Sequence, residues 1–159
     1  MSTGLINFFL VLHILGAATW LGCNVAQAFL GGMVGSAPTE VRAWWAEGGE
    51  KLGKVVYTVA GVTILASGII MLLGSGENGM SFGSTFVSIG FAAIIVGIAL
   101  GITVFGPKNR ALAAAIRSGD EAEEKKLRTT IMQFGMLDTL IVVITVFAMV
   151  YKWGIRYKG

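Results

Sequence analysis

Residues 11–22 read VLHILGAATWLG and place the only histidine of the chain, His13, inside an otherwise apolar segment. An imidazole in hydrocarbon needs a hydrogen-bond partner or a ligand. Residues three or four positions apart share one face of a helix, which puts five side chains on a single stripe: His13, Ala17, Trp20, Asn24 and Gln27. Polar residues inside membrane spans generally face the bundle interior. We therefore expect this stripe to point inward and to mark the functional region.

The composition indicates a membrane protein. Of the 159 residues, 55% are hydrophobic and only 13% are charged, about half the charged fraction of ordinary soluble domains. Four apolar runs reach the length of roughly 20 residues that a spanning helix needs: 4–33, 55–73, 82–105 and 131–153. We predict one domain over residues 1–159, an all-α integral membrane four-helix bundle.

The charge distribution predicts the orientation. Net charge is +3, but the basic residues lie between the spans, so we expect the lipid bilayer as the partner and no nucleic acid. Lysine and arginine concentrate in the first and third connections and are absent from the N-terminus and the second connection. The positive-inside rule then predicts connections one and three in the cytoplasm of a bacterium and both termini outside the inner membrane. The basic tail with Lys152, Arg156 and Lys158 argues against this orientation.

Two connections carry further patterns. In the third, an alanine-rich helix is followed by a break at residues 118–120, and Asp120 can cap the next helix, so spans three and four should extend as a helical cytoplasmic hairpin. In the first, Trp44 and Trp45 beside charged residues are typical of a short helix lying at the headgroup level. That helix is either an anchor for the bundle or a binding site.

Gly97 and Gly101 in the third span form a GxxxG spacing, which allows close helix packing. The pair can pack inside the bundle or against another subunit, including a second copy of the chain.

The fourth span carries Asp138, and a carboxyl group within a span is costly. At 1.5 Å rise per residue, Asp138 and Asn24 lie at similar depths, each ~10 Å from the inner end of its helix. Asn24 and Gln27 are therefore expected hydrogen-bond partners of Asp138. This polar core is either a clasp between helices or a proton relay.

His13 lies at about the level of Ser67 and Thr145, and either hydroxyl can satisfy a neutral imidazole. The alternative is axial ligation of haem iron, since histidine is a common iron ligand and helical bundles build cofactor sites from facing side chains. The sixth position would then need Met149, Met71, a water molecule or another subunit. Copper bound by His13 with methionines is a third possibility.

His13, Trp20 and Gly22 in the pattern H-x6-W-x-G, together with Phe105-Gly106-Pro107 and Leu137-Asp138, resemble a group of small bacterial membrane proteins. The group includes the copper-resistance CopD family, the HemJ-type protoporphyrinogen oxidases and uncharacterised four-span proteins, and the chain is most similar to the last. The resemblance implies a bundle concerned with haem or metal, with His13 as the ligand of a b-type haem. Together with the depth argument, this makes four residues candidates for cofactor binding: His13, Trp20, Thr145 and Met149.

These observations predict a haem-associated or redox-associated membrane protein. The alternative is a non-enzymatic accessory or assembly subunit of a larger membrane complex of the respiratory type, favoured by the glycine face of the third span and the charged hairpin. Copper handling or transport is the least supported function.

Overall fold

The protein is described by a computed structural model that covers residues 1–74 and 81–152. All regular secondary structure in its described part is helical, and four continuous helical segments are long and apolar enough to cross a membrane. The second connection and the end of the basic tail, for which we predicted sidedness, lie outside the described residues. The helices are α1 (Thr3–Val34), α2 (Thr39–Leu52), α3 (Thr58–Gly74), α4 (Thr85–Leu100), α5 (Gly106–Ser118) and α6 (Glu121–Tyr151).

The four long segments form the predicted all-α bundle. Helix α1 packs along α3 and α6, and α4 packs along α6, whereas α3 and α4 touch over only a short stretch. Large apolar side chains such as Phe29, Ile95 and Val150 lie on the outer surface. An outer surface of this kind is the one that a bilayer accommodates, so the chain is a multi-pass membrane protein.

Helices α2 and α3 are joined without a break by a π-helical turn, Gly53–Tyr57, into one helix of 36 residues, Thr39–Gly74. The prediction of a separate short helix at the headgroup level is therefore wrong. Trp44 does face outward, with 66% of its surface exposed, but Trp45 turns toward Gly31 of α1. The helix continues through Gly48 and Gly49, and Gly49 lies against Asn109 of α5.

A second π-helical turn, Gly101–Phe105, joins α4 to α5. The amide of Gly106 donates to the carbonyl of Gly101, five residues back. Proline at position 107 has no amide hydrogen and cannot make the next hydrogen bond of a regular α-helix. The wider turn accommodates Pro107 at the start of α5 and carries the helix on beyond the apolar segment.

The extension outside the apolar segments contains three helices rather than two. As predicted, α5 and the start of α6 form a helical hairpin, but α2 also packs against it. A cluster of buried apolar side chains lies here. Its members are small or medium in size, which lets the helices approach closely: Ala43, Ala46, Leu112, Ala113, Ala115, Ile116 and Leu127.

Charged pairs surround this cluster. Arg42 of α2 donates to both carboxylate oxygens of Glu124 of α6, at 2.5 and 2.7 Å. Arg128 lies 3.5 Å from the same carboxylate and donates to the carbonyl oxygen of Gly31 in α1 at 3.2 Å. Arg117 pairs with Glu47. The hydrogen bond of Arg128 connects the extension to the end of the first long helix.

The turn between α5 and α6 follows the prediction. Gly119 ends α5 with a left-handed backbone, φ 74°, a conformation that glycine adopts at little cost. The side chain of Asp120 then accepts a hydrogen bond from the amide of Glu123 at 3.0 Å. The break at residues 118–120 is thus a helix C-cap followed directly by an N-cap.

Candidate functional site

Trp20 occupies the centre of the bundle. Only 7% of its surface is exposed, and its indole lies between two glycines from neighbouring helices. A Cβ atom added to Gly97 of α4 would lie 2.6 Å from Cζ2 and Cη2 of the indole, and one added to Gly61 of α3 would lie 3.2 Å from Cζ3. The ring of Tyr57 meets the indole edge to face at a centroid distance of 5.6 Å. These glycines therefore make the space in which the indole sits.

Asp138 of α6 is the acceptor at this centre, with 4% of its surface exposed. The indole Nε1 of Trp20 donates to its Oδ2 atom at 2.9 Å, and Nδ2 of Asn24 donates to the same oxygen at 2.8 Å. The expected bond between Asn24 and Asp138 is present. The other carboxyl oxygen, Oδ1, accepts no hydrogen bond from any described residue, and the Cβ position of Gly97 lies 3.9 Å from it.

The hydrogen bonds continue away from Asp138 toward the extension. The hydroxyl of Tyr57 donates to Oδ1 of Asn24, and Nε2 of Gln27 donates to the Tyr57 hydroxyl, each at 2.6 Å. The expectation that Gln27 binds Asp138 directly is therefore wrong, because the tyrosine lies between them. The chain Gln27, Tyr57, Asn24, Asp138 has every donor pointing the same way, and such chains polarise their members cooperatively.

His13 is half-buried where α1 meets α3. Its Nδ1 atom lies 2.9 Å from the carbonyl oxygen of Ile64 and 3.2 Å from the hydroxyl oxygen of Ser67. Ser67 itself donates to the carbonyl oxygen of Thr63 at 2.5 Å. A Cβ atom added to Gly68 would lie 3.3 Å from Cε1 of the imidazole, so the missing side chain lets the ring lie close to α3.

The other residues expected around His13 have separate environments. Thr145 donates to the carbonyl oxygen of Ile141 on its own helix at 2.8 Å. The methyl group of Met149 lies against Gly90 of α4. Of the two hydroxyls considered as partners of His13, the structure places Ser67 beside the imidazole and gives Thr145 a bond within α6.

The structure divides the predicted stripe into two sites. Trp20, Asn24 and Gln27 belong to the hydrogen-bonded chain that ends at Asp138, whereas His13 binds the backbone of α3. The Gly97–Gly101 pair is also divided, since Gly97 receives Trp20 while a Cβ atom on Gly101 would meet nothing within 4 Å. Gly97 is thus used inside the bundle, and a contact with another chain through Gly101 stays a prediction.

Two grooves lie on the apolar outer surface. One has a volume of about 390 Å³ between Trp44 and Val56, and the other a volume of about 340 Å³ between Leu15 and Thr63. Neither is lined by His13 or Asp138. Within the ranges 1–74 and 81–152, no group of three or more histidine, cysteine, aspartate or glutamate side chains is placed to hold a metal ion.

Sequence reasoning missed Tyr57 and the carbonyl of Ile64. Tyr57 lies near the start of an apolar run, where tyrosine is usually explained by the membrane interface, and its inward direction depends on the π-helical turn. A backbone carbonyl has no signature in the sequence. The sequence offered one signal: the α1 stripe carries more hydrogen-bonding side chains than the single acceptor Asp138 can bind, so a further partner was needed.

Comparisons with known proteins give no relative: no family model, no curated protein and no solved structure matches the chain. The resemblance to the CopD-like and HemJ-like group stays a prediction.

Proposed function

We propose that this protein binds a b-type haem in a bacterial inner membrane, with His13 as an axial ligand. The observation that carries the proposal is the 2.9 Å contact between His13 Nδ1 and the carbonyl oxygen of Ile64. Histidines that ligate metals typically donate their second ring nitrogen to a carbonyl or carboxylate, which fixes the tautomer and the ring orientation. His13 has this arrangement.

The tautomer follows from the partner. A carbonyl oxygen can only accept a hydrogen bond, so Nδ1 of His13 carries the hydrogen. In a neutral imidazole the other nitrogen, Nε2, then holds the free electron pair. No described residue donates a hydrogen bond to Nε2. It is therefore the atom that would bind iron, and haem would supply redox chemistry to the protein.

The surroundings limit where haem would lie. The interior next to α1 is filled by Trp20 and its partners, and neither outer groove is lined by His13. A macrocycle bound through Nε2 would lie on the partly exposed side of the imidazole. The sixth position would be filled by a water molecule, by a second subunit, or by Met71 or Met149 after rearrangement.

The test is an absorption spectrum of the protein purified in mild detergent from cells supplied with a haem precursor. We expect a Soret band, and we expect the His13→Ala variant to lose it. A second measurement titrates haemin into protein without pigment. Saturation should occur at one haem per chain, or at one per two chains if the ligand set is shared.

Ser67→Ala is the matched control, because it removes the hydroxyl near Nδ1 but keeps the carbonyl of Ile64. This variant should retain the Soret band. The proposal fails if the wild-type protein shows neither a Soret band nor saturable haemin binding, or if His13→Ala binds haemin as well as the wild type does.

A second candidate function is that of an accessory subunit in a larger membrane complex. The observation that favours it is the extension, which has its own buried apolar cluster and surrounding ion pairs and so forms a folded surface outside the apolar segments. Gentle purification from the native membrane, followed by native mass determination, separates the two candidates. A pigment-free protein that always co-purifies with the same partners would support the accessory function.

A further inference from the structure

The second site, around Asp138, is independent of His13 and of haem. Asp138 lies among apolar helices and accepts hydrogen bonds from two neutral groups, Trp20 and Asn24. None of the cations in the described chain pairs with it, and Arg128 on the same helix is engaged by Glu124 and Gly31. Moving an isolated carboxylate out of water without a cation is very costly, and protonation removes that cost.

The distribution of the hydrogen bonds distinguishes the two carboxyl oxygens. Both donors bind Oδ2, which uses the two lone pairs that a carbonyl oxygen offers. Oδ1 receives no donor from the described residues. An ionised carboxylate has two equivalent oxygens, whereas a carboxylic acid has one carbonyl oxygen and one hydroxyl. In a protonated Asp138, Oδ2 would be the carbonyl oxygen that accepts both donors and Oδ1 would be the hydroxyl.

The side chains that bind Asp138 in the described chain are uncharged. Helix α4 faces it with Gly97 and contains no titratable residue. Helix α1 supplies Trp20 and Asn24, and the turn before α3 supplies Tyr57, which lies in the electrostatic neighbourhood of both Cys23 and Asp138. Tyr57, whose hydroxyl donates to Asn24, is therefore the titratable side chain that the described hydrogen bonds link to Asp138.

We propose that Asp138 is a proton-binding site buried in the membrane, with Oδ2 as the carbonyl oxygen and Oδ1 as the oxygen that carries the proton, beside Gly97. The chain from Gln27 through Tyr57 to Asn24 holds the carboxyl group in this orientation. Because its donors all point toward Asp138, the chain leaves Oδ1 as the only carboxyl oxygen able to exchange a proton.

The sequence makes a direct test practical, since it contains only two aspartates, Asp120 and Asp138. Protein labelled with carboxyl-13C aspartate is reconstituted in liposomes and studied by infrared spectroscopy at neutral pH. We expect one isotope-shifted band of a protonated carboxyl group and one of an ionised carboxylate. Asp138→Asn should remove the first band, and Asp120→Asn, the matched control at the exposed helix cap, should remove the second.

Trp20→Phe tests the assignment of the two oxygens. Loss of the indole donor should move the protonated carbonyl band of Asp138 to higher frequency, because a hydrogen bond to that carbonyl is lost. An unchanged band would overturn the assignment of Oδ2 as the carbonyl oxygen. Two ionised aspartates in the labelled wild-type protein would overturn the proton site, and a carboxylate band of Asp138 that shifts with sodium or potassium would replace it by a cation site.

Discussion

At the scale of single residues, the absence of a side chain at Gly97 is as important as the presence of Trp20. The indole fills the volume that any Cβ atom at position 97 would need. Gly101 lies one helical turn further along the same segment and faces open space. The two glycines look equivalent in the sequence and have opposite environments in the fold.

We expect Gly97→Ala to destabilise the protein by about 1 to 3 kcal/mol, the usual cost of inserting a methyl group into a filled core. Gly101→Ala is the matched control. It should be neutral or stabilising by up to about 1 kcal/mol, because alanine is the better helix former. Thermal unfolding in detergent, followed by intrinsic fluorescence, measures both. Equal destabilisation by the two variants would contradict the placement of Trp20 against Gly97.

The bond between Asn24 and Asp138 could be predicted from the sequence because helix rise alone places the two residues at one depth. The partner of Gln27 could not. Its bond to Tyr57 requires the tyrosine to point toward α1, and this direction is set by a local change of helix type. The contact between His13 and the backbone of Ile64 was inaccessible for a similar reason, since depth identifies neighbouring side chains but not exposed carbonyl groups.

At the scale of elements, the extension has features that local sequence signals predict and others that depend on contacts between residues far apart in the sequence. The hairpin and the cap at Asp120 follow from signals within a few residues, and both are confirmed. The packing of α2 against the hairpin depends on contacts of Ala43 and Ala46 with α5, a helix far along the chain. The adjacent tryptophans of α2 are typical of the membrane interface, but the small residues beside them, Ala43 and Ala46, are the ones that pack in the apolar cluster.

The ion pair between Arg42 and Glu124 links α2 to α6, and the side chain of Glu124 is only 10% exposed. We expect Glu124→Gln to destabilise the extension by about 1 to 3 kcal/mol, because a partly buried, charge-assisted pair loses its charge. Glu123→Gln is the control. Its partner Lys126 is exposed, and such surface pairs contribute at most about 1 kcal/mol.

Hydrogen exchange of the amides in α2 and α5 is the measurement for both glutamate variants, since it reports local opening of the extension. Faster exchange in Glu124→Gln than in Glu123→Gln is the expected result. If both variants exchange as the wild type does, the pair between Arg42 and Glu124 does not hold α2 against α6.

At the scale of the whole molecule, the protein has two parts with different cores. The bundle buries few side chains and centres on polar groups, whereas the extension buries a cluster of apolar ones. This division is expected where one part is surrounded by lipid, which gives no hydrophobic drive for helices to associate. The number of spans could be predicted from hydropathy. Which side chains fill the interior of the bundle and which fill the interior of the extension could not.

The orientation predicted from positive charge can be tested by cysteine labelling. Cys23→Ala removes the only native thiol, and a single cysteine is then placed by Ser2→Cys or by Ser118→Cys, both at exposed positions. With a membrane-impermeant maleimide we expect labelling at position 2 in intact spheroplasts and at position 118 only after permeabilisation. The reverse pattern would place the extension outside the cell.

The two π-helical turns have a consequence for how the molecule can change. Each turn fits one more residue into a helix than regular winding would hold, at the junction between the lipid-embedded half and the exposed half. If such a turn rewound into a regular α-helix with the same residues, everything beyond it would rotate by about 100° around the helix axis, whereas deleting one residue there, for example the outward-facing Ile102, would restore regular winding without that rotation. Each π-helical turn thus keeps the buried face of a helix in the bundle aligned with the buried face of the same continuous helix in the extension.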